Sequence, residues 1–196
     1  MTTNFIEQYK TPLKLCDDLI NYFNKNIEHT RPGEAGRRID PLIKESTDLS
    51  CAFQNIYPVN HYMEHINKLI LKYQDKYTEL KDHARYACYK GFQIQHYKPK
   101  GGFKRWHNER MGTIEGDRLL VFMTYLNTVP GGGTHFKYQK KTFKARKDIN
   151  KLLQSLNIEP ILDTPIKGAL TWEAVTLTSI KKKINKLRRQ LNQTET

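Results

Sequence analysis

Residues 91–139 read GFQIQHYKPKGGFKRWHNERMGTIEGDRLLVFMTYLNTVPGGGTHFKYQ. At its start Phe92, Ile94 and His96 alternate with Gln93, Gln95 and Tyr97, a period of two that belongs to a strand. KPKGG then makes a turn, and Arg105 to Glu109 fits a second strand. Leu119 to Asn127 is a nearly continuous apolar run of the kind buried on both faces. PGGGT is another tight turn, where positive φ selects glycine, and His135 to Gln139 begins a fourth strand. Short strands in succession, with no helix between them, point to an antiparallel sandwich or barrel.

Upstream the period lengthens. Leu13, Leu15, Leu19, Ile20, Tyr22 and Phe23 follow Pro12 at near-helical spacing, closed by Asn24 to Asn26. Tyr62, Ile66, Leu69, Ile70, Tyr73, Tyr77 and Leu80 recur at i, i+3, i+4 and i+7 behind Pro58 and Asn60. Both read as packing helices. The stretch between them, RPGEAGRRIDPLIKESTDLS, is rich in Gly, Pro and charge and reads as a long, mostly irregular connection. Downstream of Asp148, INKLLQSLNI and SIKKKINKLRRQLNQ read as helices, with only Ala169 to Leu177 resembling strand.

A chain of 196 residues suits one domain with a sizeable core, and 38% hydrophobic with 11% aromatic residues excludes a disordered chain. Cys16, Cys51 and Cys88 are odd in number and show no ligand spacing, so they read as reduced thiols. No leader pattern opens the sequence and no run approaches the roughly 18 apolar residues of a membrane span. The expectation is therefore a cytoplasmic protein, in the host cytoplasm if a phage encodes it, with no membrane partner. Of the net charge of +13, nine units lie in residues 137–196, where fourteen Lys/Arg face five Asp/Glu. Such a basic tail can contact nucleic acid or an acidic partner, although a solvated helix face is the plainer reading.

His107 and Glu109 carry the chemistry. Two apart on a strand, they leave the same face, and an imidazole beside a carboxylate suits a divalent first-row metal: two of the three groups of a facial triad. Around them Tyr97-x-Pro99, then glycine, Trp106-His107-x-Glu109, a buried strand ending Thr124-Tyr125-Leu126-Asn127, and Gly131-Gly132-Gly133-Thr134 follow in order. This order resembles the iron- and 2-oxoglutarate-dependent dioxygenases of the prolyl-4-hydroxylase type, notably the subgroup of phages and marine bacteria, which commonly shows Glu where most relatives have Asp.

The resemblance implies an α+β, mainly β fold: a double-stranded β-helix (jelly-roll or cupin-like) core, here incomplete, with packing helices at the N-terminus and a helical C-terminal tail. On this basis residues 1–147 form the dioxygenase domain, helical over 1–85 and β over 86–147, and 148–196 a divergent basic helical segment. It implies that His107 and Glu109 hold Fe(II), that Tyr97 and Thr134 hydrogen-bond the 2-oxoglutarate, and that Lys104 lines the pocket. The cofactors would be Fe(II), 2-oxoglutarate and ascorbate, with O₂ as co-reactant. The reaction would be hydroxylation of a C–H bond in a protein side chain such as a peptidyl proline, or in a small molecule.

The chain departs from the pattern at one point. The family takes a second histidine from a late strand, followed by a Lys or Arg for the far carboxylate of 2-oxoglutarate, and no histidine follows His135 here. Lys167 to Trp172 resembles the start of that strand, but Leu177, Thr178 and Ser179 stand where the ligand should come. His135, next to Thr134, should face away from the pocket. Water, His96 or a partner's side chain could fill the place. The alternatives are a catalytically inactive domain of the same fold that serves as a binding module, its basic tail contacting nucleic acid or an acidic partner, and a C-terminal quarter that comes from a broken reading frame.

Overall fold

The computed structural model describes residues 5–36, 38–52, 55–81, 91–109 and 119–147 with their side chains, and 86–88, 149–154, 161–163, 170–173 and 177–179 as backbone. Two helices and fourteen strands are assigned among them: β1 (Ile6–Lys10), α1 (Leu13–Lys25), β2 (Arg31–Pro32), β3 (Lys44–Glu45), β4 (Thr47–Cys51), α2 (Val59–Lys76), β5 (Tyr86–Cys88), β6 (Phe92–His96), β7 (Gly102–Phe103), β8 (Leu120–Thr124), β9 (Gly133–Phe136), β10 (Lys141–Lys144), β11 (Ile149–Gln154), β12 (Ile161–Asp163), β13 (Leu170–Glu173) and β14 (Leu177–Ser179). The protein is mixed, mostly strand, and every ladder is antiparallel.

Both helices form where the 3.6-residue period placed them. In α1 the buried positions are Leu15, Cys16, Leu19 and Phe23, and in α2 Val59, Tyr62, Met63, Ile66, Leu69, Ile70 and Tyr73, each a single stripe. Asn26 ends α1 by donating from its side chain to the Tyr22 carbonyl at 2.7 Å. The two stripes pack with Leu49 and Cys51 of β4, Phe92 and Ile94 of β6, and Leu120 and Phe122 of β8 in the main core. These strands thus turn one face to the helices and the other to the interior between the sheets.

β8 explains its own composition. Leu120, Phe122 and Thr124 face the helices, the last through a 2.7 Å hydrogen bond with the Tyr62 hydroxyl. Val121 packs instead with Ile6 and Phe136, and Tyr125 with Val129 and Ala145. All five strand residues are buried, which the unbroken apolar run requires.

β6 runs between β4 and β13, with Asp48 and Thr171 both registered on Gln95. β11 lies between β1 and β8, and β9 between β10 and β12. β13 also runs beside β8, and β12 beside β7. The helix expected over INKLLQSLNI is therefore replaced at 149–154 by a strand whose two edges are both occupied. Ladder pairing on both sides outweighs the modest helix propensity of six residues. β13 falls inside the stretch expected as strand. β14 pairs with β5. The helix expected over SIKKKINKLRRQLNQ lies, beyond Ser179, outside the described residues, and with it six of the fourteen Lys/Arg of the basic tail to which nucleic-acid contact was assigned.

Two further expectations are corrected. The strand expected at Arg105 to Glu109 is shorter and earlier: β7 pairs Phe103 with Lys44 and Gly102 with Glu45, the Lys104 amide adds a bond to the Ile43 carbonyl, and within 105–109 only His107 keeps a bridge position. The connection expected to be mostly irregular also carries the short strands β2 and β3 and most of β4. Its pattern is masked because the inward residue of β4, Asp48, is a buried carboxylate, 7% exposed, paired with Lys44 at 2.9 Å. Among the described residues no helix is long and apolar enough to cross a membrane.

Candidate functional site

Glycines set the ends of β6 and β9. Gly91 has φ +93°, and a Cβ there would stand 2.0 Å from the Cys51 carbonyl oxygen, so β6 enters beside β4 only with glycine. Gly131 has φ +77° in the turn before β9, as PGGGT requires.

Beyond Gly91 the alternation of β6 sends Phe92 and Ile94 to the helices, while the Tyr97 hydroxyl donates to the side-chain Oε1 of Gln95 at 2.7 Å on the opposite face. Gln95 and Tyr97 are both 1% exposed. His96 goes with the helix side, its ring edge-on to Phe23 at 5.8 Å, so it is not on the face of Tyr97 and is removed as a replacement ligand. Burial, then the Lys98 charge, holds its pKa below the ordinary imidazole value.

On the facing sheet Thr134 is fully buried and shares a short hydrogen bond with the Tyr125 hydroxyl. His135 points the other way, half-exposed, its Nδ1 2.8 Å from the Thr142 hydroxyl across the β9–β10 ladder. Tyr125 and Gln95 were missed by sequence reasoning. Tyr125 was visible as the hydroxyl ending an apolar strand, and Gln95 as a polar member of the same alternation that exposed Tyr97.

His107 and Glu109 meet, although off a regular strand. Nε2 of His107 lies 3.2 Å from Oε1 of Glu109, with side chains 12% and 10% exposed. The His107 ring stacks on Phe103 of β7 at 3.7 Å and 22°, and its Nδ1 lies 3.1 Å from the Arg105 carbonyl oxygen. A carbonyl only accepts, so a proton on Nδ1 satisfies Arg105, and Nε2 then faces the Glu109 carboxylate either with a second proton or with its lone pair. Two acceptors at this distance need a cation between or beside them, either a second ring proton or a metal. A backbone carbonyl on Nδ1 is also the usual outer support of a metal-bound histidine. The pair therefore fits a divalent metal, and His, Cys, Asp or Glu form no group of three able to hold one among the described residues.

Lys104 is placed elsewhere. Its ammonium contacts Oε2 of Glu45 at 2.7 Å and the Pro41 carbonyl at 3.0 Å on the surface, where it holds the Glu45 carboxyl below its ordinary pKa by that hydrogen bond and its charge.

The fold is similar to that of solved prolyl hydroxylases. A Pseudomonas putida prolyl-4-hydroxylase matches with a TM-score of 0.72 at 15% identity, over 89% of this chain and 94% of that one. A viral collagen prolyl hydroxylase from Paramecium Bursaria Chlorella virus-1, in its 2OG complex, gives 0.63 at 15%, over 89% and 96%. A Trichoplax adhaerens prolyl hydroxylase, in complex with a hypoxia inducible factor peptide fragment, gives 0.72 at 11%, over 93% and 87%. No family model matches the chain, and no curated protein matches it by sequence.

Proposed function

We propose that the chain is an Fe(II)- and 2-oxoglutarate-dependent oxygenase that hydroxylates a C–H bond, with a weakened metal site. The observation that carries this reading is the His107–Glu109 pair at 3.2 Å, largely buried, its histidine tautomer set by Arg105, within a fold shared with prolyl hydroxylases. Strand order supports it too. β13 pairs with β6 and lies beside β8, and β12 pairs with β9 and lies beside β7, neighbour relations consistent with a double-stranded β-helix.

In this reading His107 Nε2 and Glu109 hold the metal, which when bound supplies the oxidative chemistry at the expense of 2-oxoglutarate and O₂, with ascorbate as reductant. The hydroxyls of Tyr97 and Thr134, with Tyr125 bonded to Thr134, line the interior between the sheets and hold the cosubstrate. Lys104 is left out, because Glu45 and Pro41 hold its ammonium at the surface. The residues around the pair exclude water on the Phe103 side. With no histidine after His135, the site has two identified protein ligands rather than three.

Losing even outer support of a metal costs about 10- to 100-fold in affinity or activity, and a missing first ligand at least as much. Purified protein with Fe(II), ascorbate and 2-oxoglutarate should therefore release succinate slowly, and His107→Ala should abolish that release together with Mn(II) binding seen by electron paramagnetic resonance. Unchanged Mn(II) affinity in the variant sinks the metal site. Fast turnover abolished by the substitution would instead mean that a third ligand is present.

A further inference from the structure

Phe103 is buried, 7% exposed, yet it belongs to none of the three apolar clusters that the described residues form. Its one ring contact among the described residues is with His107, face to face at 3.7 Å and 22°. A phenylalanine is ordinarily buried against other apolar groups; this one is buried against a polar ring. Trp106, larger and next to His107 in the chain, stays 42% exposed, so adjacency in sequence does not account for which ring covers the histidine.

The plate that Phe103 offers is fixed from the other side. β7 registers Phe103 on Lys44 and Gly102 on Glu45, and the Lys104 amide donates to the Ile43 carbonyl at 2.6 Å. A Cβ at Gly101 would stand 2.7 Å from the Glu45 carbonyl oxygen, so the two segments approach as closely as glycine permits. Lys44 is held in turn by Asp48 at 2.9 Å, with both side chains buried. None of these contacts involves His107, so the plate is in place before the histidine docks on it.

Left alone, an imidazole flips and tilts about its side-chain torsions. The Arg105 carbonyl, 3.1 Å from Nδ1, selects one of the two flipped orientations, and the stack selects the plane. Nε2 is then directed toward Glu109 at 3.2 Å. An imidazole that shares its lone pair with a cation becomes electron-poor, and the negative face of a phenylalanine ring attracts such a ring. The stack therefore favours the metal-bound histidine over the free one. This counts most in a site with two identified protein ligands, where preorganisation has to do what a third ligand would.

We infer that Phe103 is a positioning residue of the His107–Glu109 site: its ring sets the plane of the imidazole so that Nε2 and the Glu109 carboxylate converge on one divalent cation. The inference deepens the metal reading and rests on it for the cation, but not for the ordering of the ring.

The test uses the full chain twice: with Mn(II) alone, read by electron paramagnetic resonance, and metal-free, read by nuclear magnetic resonance of the His107 ring protons, which His107→Ala assigns. Phe103→Leu and Phe103→Met keep apolar bulk and remove the flat face. Each should weaken Mn(II) binding roughly tenfold, the scale on which loss of outer support acts, and turn one narrow set of His107 signals into broadened or doubled ones. Phe103→Tyr restores a flat ring and should return both readouts to wild-type values. Phe23→Leu, which removes a ring from the helix core, should lower the urea midpoint and move neither readout, and so separates positioning from lost stability. Unchanged Mn(II) affinity in the Leu and Met variants, equal loss in Phe103→Tyr, or equal loss in Phe23→Leu would each overturn the inference. Absence of Mn(II) binding by the wild-type chain removes the metal reading instead. The metal-free signals then decide alone: broadened in the Leu and Met variants only, they keep the positioning role, and narrow throughout, they remove it.

Discussion

At the scale of single residues, charge and protonation in the interior decide most. Lys44 and Asp48 are 2% and 8% exposed at the side chain and lie 2.9 Å apart, with Ser46 donating to the second carboxylate oxygen at 2.7 Å. Removing one member leaves a buried charge without its counter-charge, which costs about 3–5 kcal/mol. Asp48→Ala should therefore lower stability by that amount in urea unfolding, and Lys44→Met combined with Asp48→Leu should recover much of it. Equal loss in single and double variants would contradict this. His65 and His96 make a second case. Burial, chiefly, lowers both pKa values below 6.5, so between the folded and unfolded values the unfolded chain binds more protons, and stability rises with pH. The stabilisation is present above the unfolded value near 6.5 and is lost as pH falls from there through the lowered folded values. The urea midpoint should drop between about pH 7 and pH 5, and His96→Gln should flatten that slope; an unchanged slope would show that His96 is no part of it.

Elements depend on where backbones must approach. β6 carries Tyr97 and borders both β4 and β13, and its entry beside the Cys51 carbonyl is possible because Gly91 has no Cβ and holds φ +93°. Gly91→Ala meets both the strain of positive φ and a backbone oxygen 2.0 Å away. It should cost about 1–3 kcal/mol or more, whereas Gly131→Ala, with nothing within 4 Å of its Cβ, should cost only the φ strain. Thermal unfolding of the two variants checks the order. Elements also show where local reading works. The helices declared themselves because one stripe faces one core, and β8 because both of its faces are buried. β4 stayed hidden because a buried carboxylate occupies an inward position, a choice that makes sense only once Lys44 is beside it.

For the whole molecule the C-terminal strands matter most. β11 fills the gap between β1 and β8, and β13 borders β6, so the division expected after Lys147 falls inside a sheet. A chain ending at Lys147 should lack a cooperative urea transition and collect in the insoluble fraction, its β6, β8 and β9 edges being left open. A soluble, cooperatively unfolding 1–147 chain would show that the earlier strands suffice.

What the amino-acid order determined by itself was what local period and residue type govern: two amphipathic helices, the strands at 92–96, 120–124 and 133–136, and the glycine turn before Thr134. What only the tertiary structure decided were matters of pairing between distant segments. INKLLQ is a strand because two other strands flank it. His96 is turned to α1 and away from Tyr97 because the helices cover that face of β6. Lys104 is held at the surface by Glu45 and Pro41, fifty-nine and sixty-three residues away in sequence. Hydrogen-bond partners and burial are set by neighbours that adjacent positions in the chain do not reveal.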